Sequence, residues 1–396
     1  MDENVEKLDA PILSSEKVPV INKEEKILTS EYLQTKLTDK EIEQASSIKD
    51  ALNLFLKKID LTQDSSVKTT IPTGIDVLDT VLGGGIATGF TQIVGPPGSG
   101  KSAIAAKILA TGQRKFPGKF IGVYIDSEES TTESRLAQLG VIYPRIQPYV
   151  NVSIEKIFQI VEGICSFKEN HPEVQDIPSV IVWDSIANTV TEAGLETDDP
   201  NSVTGQKARL LSHLLPKYIK EMNKYSVCLV AVNQLRDKID MGIFKTPADL
   251  KFLGDKQIPG GKSILFNSIQ LLFIRPSGDV KGEYGFMGIK VHCKMVKNKL
   301  FTPNIEIPLI FSFERGFSNF WSNYELLKTV KRIDAGAWCT LGDYTAKKFR
   351  QHQAIELYRT DPKFKEIFDS LVQEVLKTEY IDKFSNTASS VVEADW

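Results

Sequence analysis

The chain has 396 residues, 41% of them hydrophobic and 25% charged, with a formal net charge of −3. That length holds one large α/β domain plus smaller appendages, and no apolar run reaches the roughly 18 residues of a membrane-spanning helix. The acidic start Met1-Asp2-Glu3-Asn4 lacks the apolar core of a secretory signal, and the scattered cysteines and histidines lack metal-ligand or disulfide spacing, as in a reducing, cytosolic-type compartment. The mild acidity argues against a globally basic nucleic-acid binder and leaves room for a local basic surface.

Residues 1 to about 30 are charged and aperiodic and read as a flexible leader. From about Asp39 to Lys58 the spacing of Ile42, Ala45, Ile48, Leu52 and Phe55 predicts a helix, too short to bury its face alone. From residue 66 to about 314, apolar strand runs alternate with helical patterns, the signature of a mostly parallel α/β sheet. The predicted strands are Phe90–Val94, Phe120–Ile125, Ser179–Trp183, Val227–Asn233, Ile269–Ile274, Gly288–Val296 and Ile305–Phe313. Past Arg315 short helices and turns mix with Lys, Arg and aromatic residues. This predicts a small separate C-terminal α+β domain over 315–383, followed by a polar tail over 384–396.

Gly95-Pro96-Pro97-Gly98-Ser99-Gly100-Lys101-Ser102 follows the first of these strands and opens the helical pattern Ala103 to Leu109. In that setting it reads as a phosphate-binding P-loop. Its glycines let backbone N–H groups turn inward on phosphate oxygens, Lys101 reaches the β- and γ-phosphates, and Ser102 ligates Mg²⁺. The positive end of the following helix adds to the attraction. A glycine-rich turn without a ligand is the weaker alternative. The strand run from Ser179 ends in Asp184, an acid placed to help hold Mg²⁺ beside the P-loop. Tyr124-Ile125-Asp126-Ser127-Glu128-Glu129 ends the strand after the P-loop helix. A carboxylate there can polarise a water for in-line attack on the γ-phosphate, and spacing alone does not choose between Glu128 and Glu129.

Val232-Asn233-Gln234-Leu235-Arg236-Asp237 ends a strand and opens a long polar loop that closes at Pro259-Gly260-Gly261-Lys262. Met295-Val296-Lys297-Asn298-Lys299-Leu300 comes next, and Asp334-Ala335-Gly336-Ala337-Trp338 much later. With the P-loop, Asp126-Ser127-Glu128 and Asp184-Ser185, this ordered set resembles the RecA family of strand-exchange recombinases, with the phage UvsX branch as nearest relative. The resemblance covers about residues 40 to 380. It implies a RecA-like P-loop NTPase core over 66–314, an N-terminal oligomerisation arm over 31–65, and a C-terminal domain that gathers duplex DNA. It makes Glu128 the carboxylate that activates water and Gln234 a γ-phosphate sensor joined to a DNA-binding loop. Lys297 and Lys299 become charge-stabilising groups that reach a neighbouring protomer's ATP, and Phe266 falls at a polymer contact. Arg135 stands where the family commonly carries an adenine-stacking tyrosine.

By the same resemblance, DNA contact falls to two loops. The first spans about Glu192 to Gly205, with Arg209 just beyond it. The second spans Leu235 to Gly261 and carries Arg236, Lys238, Ile239, Phe244 and Lys245, closing on Gly260 and Gly261. Cations that track phosphates, interleaved with apolar side chains that wedge between bases, suit a single strand. Thr204 stands where the first loop should carry an apolar wedge, and Asp198 and Asp199 repel phosphate, so the second loop is the stronger reader. Lys347, Lys348, Arg350 and His352 give the C-terminal domain a basic run.

The predicted protein is an ATP-dependent recombinase with ATP and Mg²⁺ as cofactors. It forms a helical homo-oligomer on single-stranded DNA and pairs it with homologous duplex DNA. A loader or single-strand-binding protein is a further partner, in the cytoplasm of a bacterial or phage-infected cell. A hexameric helicase motor on the same core is one alternative, opposed by the V-K-N-K run and the last domain. An ATP-binding recombination mediator with little turnover is the other, opposed by Glu128.

Overall fold

The computed structural model describes residues 69–195, 205–237, 256–282 and 284–383. The leader, the arm with its expected helix, the tail and the middles of both DNA loops lie outside these residues. The main sheet takes nine strands: β1 (Gly89–Gly95), β2 (Ile121–Asp126), β3 (Gln147–Val150), β4 (Ser179–Asp184), β5 (Val227–Gln234), β6 (Gln270–Lys281), β7 (Met287–Asn298), β8 (Glu306–Ser312) and β9 (Gly316–Phe317). Their order across the sheet is β9-β8-β7-β6-β1-β5-β4-β2-β3. Neighbours from β6 to β3 run parallel, while β7, β8 and β9 extend the other edge antiparallel.

The parallel strands read as unbroken apolar runs because helices cover both faces. Along β4, Val180 and Val182 enter one core, and Ile181 and Trp183 enter the other. Along β5, Cys228, Val230 and Val232 face the first core, and Val227, Leu229 and Ala231 the second. Helices α1 (Asp76–Leu82) and α2 (Lys101–Lys115) close the first face. After α3 (Glu133–Gln138), helices α4 (Ile154–Asn170), α5 (Gln206–Lys224) and α6 (Lys262–Asn267) contribute to the second. All seven strands predicted from apolar runs are present. Strand β3 has no such run: Gln147, Pro148, Tyr149 and Val150 are all exposed on the sheet edge. All four cysteines are free and buried. No helix among the described residues is long and apolar enough to cross a membrane.

Beyond β9 come α7 (Asn319–Thr329), a three-stranded antiparallel sheet of β10 (Ile333–Ala335), β11 (Cys339–Leu341) and β12 (Tyr344–Phe349), then α8 (Ala354–Thr360) and α9 (Pro362–Val375). No gap in the core marks the change of pattern near residue 315. One apolar cluster runs from Ile310, Phe311 and Phe317 through Trp321 and Tyr324 to Phe364, Phe368 and Val372. Phe320 stacks on Phe368 with ring centroids 4.9 Å apart, and Trp321 meets Tyr284 edge-on at 4.9 Å. Phe349, inside the basic run of the sequence, is buried against Phe364.

This packing predicts that Phe368→Ala costs about 3–5 kcal/mol, the usual loss for a buried aromatic cut to alanine. Urea unfolding reads the loss as a lower midpoint, with the sheet and C-terminal helices melting in one transition. A loss below about 1 kcal/mol would mean that these rings do not share the core of the sheet.

Candidate active site

The P-loop is built by close backbone approach. A Cβ on Gly95 would lie 2.1 Å from the Ile274 carbonyl oxygen, so only glycine lets β1 end against β6. Gly100 has φ 90°, and a Cβ there would sit 2.9 Å from the Phe317 ring. Between them Pro97 and Gly98 are exposed, and Ser99 Oγ donates to the Pro96 carbonyl at 2.8 Å. Lys101 opens α2, and its Nζ folds back to donate to the same carbonyl at 2.7 Å. Burial pulls the Lys101 ammonium below its ordinary pKa, opposed by the nearby Asp184 and Glu128. A desolvated cation of this kind gains from any anion that enters the loop.

Asp184 ends β4 and is buried. Its Oδ2 accepts from the Tyr124 hydroxyl at 3.0 Å, and the Ser102 side chain also bonds to the carboxyl. Burial raises the Asp184 pKa against these two hydrogen bonds, with Glu128 and Asp126 adding to the rise. A divalent cation beside Ser102 and Asp184 would relieve that buried charge. Among the described residues no group of three or more His, Cys, Asp or Glu could hold a metal ion. Ser102 and Asp184 are the residues that would hold such a cation, which would supply positive charge beside the P-loop.

Glu128 is fixed by three strand ends. Asp126 closes β2, and its carboxylate accepts from the Glu128 N–H at 3.0 Å and the Thr131 N–H at 2.8 Å. That turn brings Glu128 Oε1 to the Ser185 hydroxyl at 2.7 Å and to Gln234 Nε2 at 2.8 Å. The parallel register explains the convergence, because Asp126, Asp184 and Val232 lie in one row across β2, β4 and β5. Glu129 is exposed, with φ 50°. The choice that spacing left open is thus structurally distinct: Glu128 alone of the two engages Ser185 and Gln234.

Other predicted residues stand apart from this cluster. Arg135 is half-buried on α3, its Nη1 donating to the Phe313 carbonyl at 2.9 Å and to Gln138 Oε1 at 3.3 Å. Lys297 Nζ donates to the carbonyls of Leu265 at 2.9 Å and Phe266 at 2.7 Å, at the end of α6. In the sheet Lys297 pairs with Leu271, which pairs with Gln92, three residues short of Gly95. Lys297 thus lies level with the middle of β1 and two strands across from it, offset from its own P-loop. Lys299 is exposed, and Phe266 is 73% exposed.

Of the DNA-loop residues, Arg209 is exposed on α5, and Arg236 Nη2 donates to the Ala187 carbonyl at 3.1 Å. Gly260 and Gly261 have φ of 99° and 81°, and a Cβ on Gly261 would lie 2.9 Å from the Ala208 side chain. The flanks of both loops therefore meet at the start of α5. Lys238, Ile239, Phe244 and Lys245 lie outside the described residues. Tyr124 and Ser185, which bind the two site carboxylates, received no role from the sequence. Ser185 directly follows Asp184 and Tyr124 sits two places before Asp126, but neither spacing marks a hydrogen bond across strands.

Residues 48–318 match the family model of the RecA N-terminal domain, ending where α7 begins. Over 311 residues the chain is 30% identical to Protein RecA of Thermus aquaticus, covering 78% of this chain and 84% of that one. The chain belongs to the RecA family. It is also similar to Protein RecA of Aquifex aeolicus, 30% identical over 277 residues, covering 69% and 74% of the two chains. With Protein RecA of Clostridium tetani it is 26% identical over 332 residues, covering 81% and 89%. As a RecA-family protein it is a DNA-dependent ATPase and an ATP-dependent recombinase, and its reaction is strand exchange.

The Tyr124 contact carries a testable consequence. Tyr124→Phe leaves the buried Asp184 carboxylate without one donor, which should destabilise the protein by about 1–3 kcal/mol. A urea titration without nucleotide or divalent metal measures this, and an unchanged midpoint would remove Tyr124 from the site.

Proposed function

We propose that this RecA-family recombinase polymerises on single-stranded DNA with Mg²⁺ and ATP bound at the junction between protomers. The observation that carries the reading is the Glu128 carboxylate, held between Ser185 and Gln234 where three parallel strands end beside Lys101 and Asp184. The backbone from Gly95 to Ser102 cradles the phosphates, and Lys101 exchanges the Pro96 carbonyl for phosphate oxygens. Ser102, with Asp184 nearby, would hold Mg²⁺, which would supply charge neutralisation to the bound phosphates. Glu128 orients and deprotonates the attacking water, and Gln234 contacts the γ-phosphate while its strand leads straight into the second DNA loop. Arg135, held at Phe313, stands at the base end of the nucleotide, where a guanidinium can stack on a purine.

Lys297 and Lys299 serve the neighbour's ATP, a role supported by their position away from their own P-loop and by the exposed Phe266 beside them. Arg209, Arg236, Lys238, Ile239, Phe244, Lys245, Gly260 and Gly261 contact the single strand. The C-terminal domain gathers duplex DNA, supported by exposed Trp338 with the Arg350 guanidinium 5.4 Å from its ring centre. A loader or single-strand-binding protein assists assembly.

Lys101→Ala should abolish turnover, since the phosphates lose their fixed cation. Steady-state ATPase within about twofold of the unaltered protein would reject this loop as the ATP site, because even 1.4 kcal/mol of lost stabilisation is tenfold. Glu128→Gln keeps the shape and removes the base. It should give filaments that form with ATP, turn over slowly and dissociate late. The same phenotype from Glu129→Gln alone would shift the role by one residue.

The intersubunit site has its own test. A Lys297→Ala, Lys299→Ala double variant should bind nucleotide as a monomer yet lose cooperative hydrolysis, because the transition-state charge goes uncompensated. Mixing it with Lys101→Ala should restore some activity at interfaces that pair an intact P-loop with an intact lysine pair. Absence of rescue in demonstrated co-assemblies would assign these lysines a structural role instead.

A further inference from the structure

The turn after β4 is gripped from two sides. On one side the Ser185 hydroxyl donates to Glu128 Oε1 at 2.7 Å. On the other, the Lys207 ammonium donates to the carbonyls of Ile186 and Ala187, both at 3.0 Å. Arg236 Nη2 donates to the same Ala187 carbonyl at 3.1 Å. The turn is itself stiff: the Ile186 N–H bonds to the Val232 carbonyl at 3.0 Å, and Thr189 Oγ1 donates to the Ser185 carbonyl at 2.8 Å. Three consecutive residues therefore join the carboxylate to two cations that stand at the flanks of the two DNA loops.

Lys207 is unfavourably placed for a structural cation. It lies in the first turn of α5, at the positive end of a 19-residue helix whose first turn holds no acidic side chain. Burial, followed by the Arg236 charge, pulls its pKa down to about 8. Two neutral carbonyls solvate the ammonium without neutralising it. A phosphodiester oxygen would neutralise it, and such charge-assisted bonds are about twice as strong as neutral ones.

We propose that Lys207 is a positioning residue which, with Arg236, holds the Ser185–Ala187 turn so that Ser185 restrains Glu128, and that nucleic-acid phosphate draws both cations off these carbonyls and releases the restraint. The inference rests on the DNA-dependent ATPase reading and adds a physical route for that dependence. With Ser185 and Gln234 both donating to Oε1, the two lone pairs of that oxygen are engaged and the carboxylate is pinned in one orientation. Releasing the turn removes the Ser185 donor. The bond from the Glu128 N–H to Asp126 lies outside the turn and keeps Glu128 in place.

The test uses the full chain and measures ATP turnover with and without a poly-dT oligonucleotide. Lys207→Met should raise unstimulated turnover and cut the stimulation ratio about tenfold, with the KM for ATP within about twofold of the unaltered protein. Lys207→Arg, which keeps the charge and donors, should retain most of the ratio. Ser185→Ala should also raise unstimulated turnover, and it tests the restraint even if Lys207→Met fails to fold. An unchanged ratio in Lys207→Met, an equal fall of both rates, or a lower unstimulated rate in Ser185→Ala overturns the inference. If the unaltered protein shows no stimulation by poly-dT, the DNA-dependent reading falls and the inference with it. Stimulation that survives intact in Lys207→Met rejects the inference alone.

Discussion

The Glu128 carboxylate accepts hydrogen bonds from Ser185 and Gln234 on one oxygen, and the rest of the site is arranged around that junction. It can form only because β2, β4 and β5 are parallel neighbours whose ends fall in one row. A register shift of one residue would turn alternate side chains into the opposite core and separate Asp126 from Asp184. The two apolar cores that cover the sheet therefore do more than stabilise it. They fix the height at which each strand delivers its acid, amide or hydroxyl.

The site also concentrates like charge in a dry place. Asp126 and Asp184 are both buried, with Glu128 beside them, and burial raises the Asp184 pKa. Lys101 is the nearby cation, and burial lowers its pKa in turn. Burial thus disfavours the charge on both groups, which is a physical reason for the loop to take up a polyanion together with a divalent cation. The same imbalance recurs about Lys207, whose ammonium rests on carbonyls. Poorly neutralised cations on the Ile186 and Ala187 carbonyls make that turn responsive to nucleic-acid phosphate.

Much of this was legible in the sequence because the covered parallel strands leave long apolar runs, and because Gly95, Gly100, Lys101 and Ser102 are contiguous. Asp184 and Glu128 were legible as acids that end strands. Strand β3 was not, since an exposed edge strand of Gln147, Pro148, Tyr149 and Val150 carries no alternation. The core shared with the C-terminal helices was hidden because Phe320 and Phe368 lie 48 positions apart in the chain, a pairing no local pattern encodes. Tyr124, Ser185 and Lys207 were missed for a related reason: their roles come from hydrogen bonds between strands or across a turn. The offset of Lys297 from its own P-loop emerged only from the sheet register.

On the proposed mechanism a second copy of the chain completes the nucleotide site. The most direct measurement is a density map, from electron microscopy, of the full chain assembled on single-stranded DNA with Mg²⁺ and a non-hydrolysable ATP analogue. The expected result is a helical filament in which the phosphates lie on Lys101 and Ser102 of one protomer, with Lys297 and Lys299 of the next reaching them. Closed rings, or a filament whose nucleotide touches only one protomer, would contradict it.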